Sequence, residues 1–245
     1  KFNKKIHVDA DKSLSIRWAI LASLALGKSK AYNLLRSEDV LTTLKSLKKL
    51  GVKIKSTKKF YEIYGNGLNS FKYKKNLTID AGNSGTFGRL ILATLIRSPN
   101  KIKLIGDKSL SKRDFSRIII PMTKFGASFF PKDKTTLPIT IKGTNFIRPI
   151  KYFENKGSAQ CKSSVMLAAL NSPGKTFIKA KKSRDHTEIL FKKLKIPIKI
   201  KKTKKYDYII VEGQKQFKSF SYKIPSDISS SAKKIVLTLL TKNST

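Results

Sequence analysis

Two kinds of hydrophobic pattern alternate along the chain. In the first kind, a few small or polar residues lead into a long apolar run, which predicts a helix. The four segments of this kind run into WAILASLAL, RLILATL, VMLAAL and IVLTLL, and they begin at Lys12, Asn83, Ser158 and Asp227. When they are aligned on Leu21, Leu92, Leu167 and Leu237, the separations are 71, 75 and 70 residues. A unit of about this length therefore repeats along the chain.

A second predicted helix type lies between the first ones. These segments begin at Ser37, Ser111 and Ser183, and they end in the similar phrases KKLGVKI, TKFGASF and KKLKIPIKI. Apolar residues at helical spacing support the prediction, as in Val40, Leu44, Leu47 and Leu50. A serine or aspartate at the start suits an N-cap, and a glycine after the last turn suits a C-terminal stop. Gly51 and Gly126 hold that last position.

Short alternating runs between the helices predict half-buried strands. They cover residues 52–54, 60–63, 77–79, 102–104, 139–141, 176–178 and 208–211. Each repeat thus consists of helix, strands, helix and strands, and three copies span about residues 12–226. The fourth helix, from Asp227, has no completed repeat behind it, so we expect the sequence to be a piece of a longer protein.

Small residues at the start of the first helix type favour anion binding. Gly, Ser, Ala and Thr let free backbone N–H groups at a helix N-terminus approach a ligand closely. Three such termini at one end of a domain would make a strong anion site. The periodicity alone does not show that they converge.

Composition bounds the possible classes of protein. The chain has 245 residues, of which 40% are hydrophobic, which is enough for a core. No apolar run approaches the roughly 18 residues of a membrane span. The single cysteine, Cys161, excludes an internal disulfide. These features favour a soluble protein of a reducing compartment.

The formal net charge of +38 allows three interpretations. It could serve nucleic acid binding, attract small anionic substrates, or reflect a compositional drift towards lysine. Of the 53 basic residues only eight are arginine, the residue that reads guanine best, and the lysines are spread from end to end. A dispersed lysine excess is more typical of a solvated surface.

Four phrases carry a family resemblance, and they occur in the family's order. They are residues 11–17 (DKSLSIR), 82–86 (GNSGT) with Arg89, 106–110 (GDKSL) with Lys112 and Arg113, and 157–160 (GSAQ) followed by 183–188 (SRDHTE). They resemble the motifs DKSxSxR, GNSGTxxR, GDxSLxxRP, GSAQxKSA and SRDHTE of the 5-enolpyruvylshikimate-3-phosphate synthase family. The resemblance covers nearly the whole chain.

The resemblance implies an α/β (α+β) fold, in which a domain is an inside-out barrel of three βαβαββ-type repeats. Residues 12–226 would form the domain that binds shikimate 3-phosphate, with repeats at about 12–81, 82–156 and 157–226. Residues 1–11 would be the first strand of a second, incomplete domain, and residues 227–245 would begin the rest of it.

The family's reaction is also implied by the resemblance. It transfers the enolpyruvyl group of phosphoenolpyruvate to the 5-hydroxyl of shikimate 3-phosphate, without a metal or cofactor, in the cytoplasm and usually as a monomer. Neither nucleic acid nor membrane is an expected partner. Because the family's acid–base carboxylates lie in its other half, we expect these 245 residues alone to bind shikimate 3-phosphate weakly and to be inactive.

Site residues follow from the matching motif positions. The expected ligands of shikimate 3-phosphate are Lys12, Ser13, Arg17, Ser158, Ala159, Gln160, Ser183 and Arg184. The expected ligands of phosphoenolpyruvate are Lys12, Gly85, Arg113 and Gln160, and Lys12 and Arg113 would be catalytic. A Cβ atom at Gly85 would crowd the ligand, and an arginine fork at Arg113 suits a phosphate or carboxylate.

Other positions have more ordinary explanations. Arg89 is expected to support the structure, His186 to cap or pack at a helix start, and Cys161 to lie in the core. Asp114 stands where the family usually has proline, which leaves the shape of that loop open.

Two alternatives come from outside this family. A UDP-N-acetylglucosamine enolpyruvyl transferase would lack the KSxSxR phrase and carry a cysteine in a loop, whereas Cys161 is predicted in a helix. A basic nucleic-acid-binding module would interleave aromatic and basic residues, and no such stacking pattern is apparent along the chain.

Overall fold

The computed structural model describes residues 7–241, apart from the side chain of Lys233. The described helices are α1 (Lys12–Leu24), α2 (Glu38–Lys49), α3 (Gly85–Thr94), α4 (Ser116–Phe125), α5 (Ala159–Ala169), α6 (His186–Lys193) and α7 (Ile228–Leu240). The described strands are β1 (Leu26–Tyr32), β2 (Lys53–Ser56), β3 (Phe60–Asn66), β4 (Leu77–Asp80), β5 (Ile102–Ile105), β6 (Ser128–Phe130), β7 (Ile139–Lys142), β8 (Lys151–Glu154), β9 (Lys175–Lys181), β10 (Ile198–Lys202), β11 (Tyr206–Glu212) and β12 (Ser221–Lys223).

The strands form three four-stranded sheets with one shared plan. Their strand orders are β12-β1-β3-β2, β4-β5-β7-β6 and β8-β9-β11-β10. In each sheet the first pair is parallel and the other two pairs are antiparallel. A parallel pair needs a crossover, and α3 and α5 supply it in the second and third sheets. The predicted threefold repeat and mixed α/β class are confirmed.

The first sheet is completed by a strand from the far end of the chain. Strand β12 pairs in parallel with β1, so that Lys30 lies opposite Ser221. The other two sheets each use one continuous stretch of sequence. Within residues 7–241 the strands remain three separate sheets, and no closed barrel of hydrogen-bonded strands is present.

Three helices of the first predicted type, α1, α3 and α5, lie in an inner layer and those of the second type lie outside it, whereas the fourth helix of the first type, α7, is largely exposed. Every residue from Leu14 to Leu24 in α1 is buried, and so is every residue from Cys161 to Ala169 in α5. Helix α3, also largely buried, packs against both α1 and α5. By contrast, α2, α4 and α6 bury one face and expose the other. Helices that are apolar all round belong inside, and amphipathic ones belong outside.

The predicted helix start at Ser111 is wrong. Residues Leu110–Lys112 form one 3₁₀ turn, and α4 begins only at Ser116. The Asp107 carboxylate accepts a bond of 2.6 Å from the Leu110 amide, which holds the turn. The Asp114 carboxylate accepts a hydrogen bond of 2.9 Å from the Ser116 amide, at the residue where α4 begins. Two helix-start signals therefore follow one another, and the second one begins α4.

Two distant chain segments lie side by side next to this domain. The Asp11 amide donates to the Pro225 carbonyl at 2.8 Å, and the Asp227 amide donates to the Asp9 carbonyl at 2.9 Å. The predicted domain limits fall in these two segments. Residues 1–6 of the strand predicted over 1–11, and residues 242–245, lie outside the described residues.

No helix in the described part of the chain has the length and apolar character that a membrane crossing requires.

Candidate functional site

A cavity of about 150 Å³ opens at the N-terminal ends of five helices, α1, α3, α5, α6 and α7. Its lining combines cations, hydroxyls and carboxylates, contributed by Asp11, Lys12, Ser13, Arg17, Thr86, Ala159, Gln160, Arg184, His186, Asp227 and Ser229. Helix N-termini carry free N–H groups and partial positive charge, so this arrangement favours an anionic ligand. The structure thus brings together the first turns of α1, α3 and α5.

Side-chain caps fix the direction of these helix ends. Asp11 accepts from the Leu14 amide at 2.7 Å, and Ser158 accepts from the Cys161 amide at 3.2 Å. Ser84 caps α3 and Asp227 caps α7 in the same way. Each cap satisfies one of the free N–H groups of the first turn and leaves others available to a ligand.

Arg17 is the best anchored cation of the cavity. Its side chain is 3% exposed and donates to Ser13 Oγ at 2.9 Å, to Thr187 Oγ1 at 2.9 Å and to Ser163 Oγ at 3.1 Å. Burial lowers the pKa of Arg17 to about 10, with the nearby Glu188 carboxylate acting in the opposite direction. The guanidinium therefore stays charged at neutral pH, and its neutral hydroxyl partners leave that charge available to an anion.

A buried ion pair lies next to the hydroxyl groups that hold Arg17. Nζ of Lys162 lies 2.6 Å from Oε1 of Glu188, and both side chains are almost fully removed from solvent. The pair joins α5 to α6, next to Ser163 and Thr187, which hold Arg17. Two opposite charges buried in contact offset part of each other's desolvation cost. The pairing was not predicted from the sequence, although Glu188 lies within the phrase 183–188 and Lys162 lies two residues after the phrase 157–160.

Lys12 borders the cavity but has an acidic partner of its own. Its Nζ lies 2.9 Å from Oδ2 of Asp39, at the start of α2, and its side chain is half exposed. Exposed pairs of this kind are weak, so an arriving anion can compete for the ammonium. Asp39 was not predicted as a site residue.

The α6 side of the cavity carries Arg184, Ser183 and His186. Arg184 is exposed and lines the cavity. Ser183 is not among the lining residues, and within the described residues its buried Oγ has no hydrogen-bond partner. Burial is the main cause that lowers the pKa of His186, and the cations Arg17 and Arg184 add to the effect. His186 therefore borders the cavity as a neutral imidazole at pH 7.

Gln160 and Arg89 link α5 to α3. Gln160 Oε1 accepts from Arg89 Nη1 at 2.8 Å, and Gln160 Nε2 donates to Thr86 Oγ1 at 2.9 Å. Arg89 Nη1 also donates to the Gly85 carbonyl at 3.2 Å. These bonds agree with the supporting role expected of Arg89, and they hold Gln160 at the cavity.

Arg113 and Gly85 lie beside the cavity, outside its lining. A Cβ atom on Gly85 would come within 2.8 Å of Arg89 Nη1 and 3.2 Å of Arg113 Nη1. Arg113 follows the 3₁₀ turn with an extended backbone, and its side chain is exposed. The glycine thus lets two guanidinium groups approach the start of α3. Ser158, another predicted ligand, is the N-cap of α5 and is also outside the cavity lining.

Several cavity residues were missed by sequence reasoning. Asp11, Thr86, His186, Asp227 and Ser229 were not predicted as ligands, although all five lie within phrases already singled out as helix starts or motifs. The common signal is position: each stands within three residues of a helix start. Cys161 lies in α5 and is buried, as expected. Within residues 7–241 no group of three or more His, Cys, Asp or Glu side chains could hold a metal ion.

Comparison with known proteins gives one consistent family. The family profile described as EPSP synthase (3-phosphoshikimate 1-carboxyvinyltransferase) matches residues 1–245. A protein named 3-phosphoshikimate 1-carboxyvinyltransferase from Streptococcus mutans is 36% identical over 241 residues, covering 98% of this chain and 55% of its own length. One of the same name from Ruthia magnifica is 43% identical over 229 residues, covering 93% and 51%.

Solved structures agree with the sequence comparison. A structure of EPSP synthase from Acinetobacter baumannii superposes with a TM-score of 0.87 at 32% identity, covering 99% of this chain and 54% of that one. The chain thus spans about half the length of the curated relatives and of the solved structures that it matches.

Proposed function

This chain belongs to the EPSP synthase family, and from that premise we propose that it supplies the shikimate 3-phosphate-binding part of an enolpyruvyl transferase. The reaction joins the 5-hydroxyl of shikimate 3-phosphate to C2 of phosphoenolpyruvate and releases inorganic phosphate. The observation that carries the proposal is the cavity where five helix N-termini meet Arg17 and Arg184. Its lining combines three cations, hydroxyl groups and a carboxamide at helix N-termini, a combination that the cavities lined by Arg36, Arg97 and Lys179 do not have.

The phosphate ester is proposed to bind between α1, α5 and α6. Arg17 offers a charge held in place by three hydroxyl partners, and Arg184 offers a solvent-exposed one. The first turn of α5, at Ser158, Ala159 and Gln160, adds backbone amides and a carboxamide. Ser13 adds its hydroxyl group from the cavity lining, and Ser183 is included on the family motif alone, since its buried Oγ lies outside that lining. Together these groups match a dianion that also carries a hydroxylated ring.

Phosphoenolpyruvate is proposed to bind towards α3. Arg113 and Lys12 would neutralise its phosphate and carboxylate, while Gly85 and Gln160 would allow and orient the contact. Cations held at a developing negative charge stabilise a transition state more than a ground state, which is the catalytic role proposed for Lys12 and Arg113. Lys12 would exchange Asp39 for the substrate.

The remaining features of the proposal follow from family membership. Residues 12–226 would be the substrate-binding domain, and residues 1–11 and 227–245 would belong to a second domain. The side-by-side segments at Asp9–Asp11 and Pro225–Asp227 fit a double connection between the two. A monomer in the cytoplasm and a reaction without a cofactor complete the proposal.

Calorimetric titration of the chain with shikimate 3-phosphate tests the proposal. We expect one saturable site at ~0.2 M salt, where nonspecific attraction to the basic surface is screened. Shikimate without its phosphate should bind at least about tenfold more weakly, because it loses the charge-assisted bonds to the arginines. Glucose 6-phosphate is the matched control, since it carries the same phosphate on a different ring, and it too should bind weakly. Equal affinity for the two phosphate esters would contradict the proposal.

A further inference from the structure

The outward face of the third sheet carries alternating lysine and aromatic side chains. Across the strands, one row reads Lys201, Tyr208, Lys179, Phe153, as the strand pairing places them opposite one another. The next row reads Lys199, Ile210, Phe177, Lys151. Six residues of the two rows line a shallow apolar depression of about 590 Å³. We call this surface the aromatic face.

The rings of the aromatic face are open to solvent. The exposed fractions are 49% for Phe153, 43% for Phe177 and 41% for Tyr208. Lys179 lies at the centre, with its Nζ 5.0 Å from the ring centre of Phe153 and 5.9 Å from that of Tyr208. Cation–π contacts at a surface are weak, so a planar ring could replace the ammonium over these side chains.

The lysines of the aromatic face have no acidic partners. Within residues 7–241, no ion pair joins any lysine of the two rows to a carboxylate. On the outward positions of these four strands the one acidic residue is Glu212, which lies beyond both rows and opposite Lys175. The face therefore has uncompensated positive charge beside open π surfaces.

The first sheet provides an internal contrast. Its outward face also pairs lysine with tyrosine, since Lys28 and Lys53 flank Tyr64. There, however, the Glu62 carboxylate lies 3.6 Å from Lys28 and 3.6 Å from Lys30 and accepts a bond from Tyr64. The Glu62 carboxylate partly neutralises the lysines of that face, whereas no described carboxylate pairs with the row lysines of the aromatic face.

We propose that the aromatic face binds single-stranded nucleic acid. Such ligands combine a phosphate backbone, which needs cations, with exposed bases, which stack on aromatic rings. A four-stranded sheet with two or three open aromatic side chains is the kind of platform on which bases stack. Here Phe153, Phe177 and Tyr208 would take bases, and the flanking lysines would take phosphates.

Other occupants fit less well. Duplexes keep their bases stacked inside, so they would leave the aromatic side chains unused. A second copy of this chain carries the same net charge of +38 and would be repelled. An anionic bilayer favours protruding apolar groups, and this surface is a depression.

The expectation that nucleic acid is no partner rested on the absence of interleaved aromatic and basic residues. Along the sequence, Lys151, Lys179 and Lys201 belong to three separate segments. Strand pairing brings them into rows with the rings, so the pattern exists only in the folded sheet. The inference is independent of the shikimate 3-phosphate site, which lies at the helix ends.

Fluorescence anisotropy of the chain with a labelled single strand of about 12 nucleotides, as DNA and as RNA, tests the proposal at ~0.15 M salt. The expected affinity is at least about tenfold higher than for the matching duplex or for polyphosphate of equal charge. Tyr208→Ala and Phe153→Ala should each reduce single-strand affinity about fivefold or more while leaving polyphosphate binding unchanged.

Tyr32→Ala is the matched control, because Tyr32 is also a tyrosine on an outward sheet face and is also 41% exposed. It should leave single-strand affinity unchanged. Tyr208→Leu keeps apolar surface and removes the ring, so it should behave as Tyr208→Ala, with thermal melting to confirm that each variant is folded. Equal binding of polyphosphate, an equal loss in Tyr32→Ala, or full binding by Tyr208→Leu would each overturn the proposal. Loss of anionic-vesicle binding in these variants, with single-strand binding intact, would also overturn it in favour of a membrane surface.

Discussion

The Nη1 atom of Arg113 lies 3.2 Å from the point that a Cβ atom on Gly85 would occupy. Nη1 of Arg89 lies even closer to that point, at 2.8 Å, and it also holds Gln160. The sequence suggested that a side chain at Gly85 would crowd the ligand directly. In the folded chain it would first displace two guanidinium groups, and through Arg89 it would release Gln160.

Gly85→Ala is therefore expected to damage the site more than the fold. The displaced atoms are the ends of flexible side chains, so the free energy of unfolding should change by less than about 1 kcal/mol. Affinity for shikimate 3-phosphate should fall about fivefold or more, or ~1 kcal/mol, since Gln160 loses its charged partner. Urea unfolding and calorimetric titration measure the two effects.

Gly88→Ala is the control on the same helix. Its Cβ atom would meet Ala81 and Phe115 at 3.5 Å, which is ordinary contact. Helix propensity favours alanine by up to about 1 kcal/mol, so this variant should be as stable as the parent or more so, with the same affinity. Loss of binding in both variants would show that Gly85 has no special relation to the arginines.

The two arginines of the cavity should respond differently to removal. Arg184→Ala removes an exposed cation, so affinity for shikimate 3-phosphate should drop about tenfold or more while stability stays within about 0.5 kcal/mol. Arg17→Ala should lower both, because it removes a hydrogen-bond donor from three hydroxyl groups, of which those of Thr187 and Ser163 are buried. Arg148→Ala removes an exposed arginine outside the cavity and should change neither quantity. Equal affinity losses for Arg184→Ala and Arg148→Ala would contradict the assignment.

His186 should make the stability of the chain depend on pH. Burial, with Arg17 and Arg184, lowers its pKa in the folded chain, whereas in the unfolded chain it titrates near its ordinary value of 6.5. Below about pH 6.5 the unfolded chain therefore binds more protons, so the free energy of unfolding falls as the pH drops from that value. His186→Asn should remove this part of the slope in urea unfolding across roughly pH 5–8. An identical slope in parent and variant would disprove the effect.

Removing one member of the buried pair of Lys162 and Glu188 should destabilise the chain strongly, whereas replacing both members by apolar residues should destabilise it much less. Lys162→Met strands the Glu188 carboxylate and should lower the free energy of unfolding by about 3–5 kcal/mol. Adding Glu188→Leu should recover most of this loss, because the lone charge disappears. Lys202→Met is the matched control: Lys202 is exposed and its partner Asp185 is partly exposed, so the loss should stay below about 1 kcal/mol. The prediction fails if the double variant is as unstable as Lys162→Met alone.

Local signals predicted most helices and seven of the described strands. The strands β2, β3, β4, β5, β7, β9 and β11 all contain residues expected from alternation. Strand β1 was missed because its first three residues are exposed and include a glycine, which hides the period. Strand β12 has three residues and is defined by its pairing with β1. Such elements depend on contacts between distant segments, which no local pattern encodes.

The candidate site shows the same division. Arg17, Gln160 and Arg184 were found because each lies in a phrase with a helix start and a recognisable motif. The partnerships of Lys12 with Asp39 and of Lys162 with Glu188 were not found, since each joins residues of different helices. Identities could be predicted from the sequence, but the pairing of charges required the packing of the helices.

The late position of β12 in the chain affects the order of assembly during synthesis. The strands of the second and third sheets have all been made by residue 212, but the β1 edge of the first sheet stays unpaired until residues 221–223 emerge. An unpaired strand edge can capture other extended segments, and chains grow from the N-terminus. The sheet whose strands are translated first is thus the last to be closed, and over that interval the nascent chain depends on β1 remaining unoccupied.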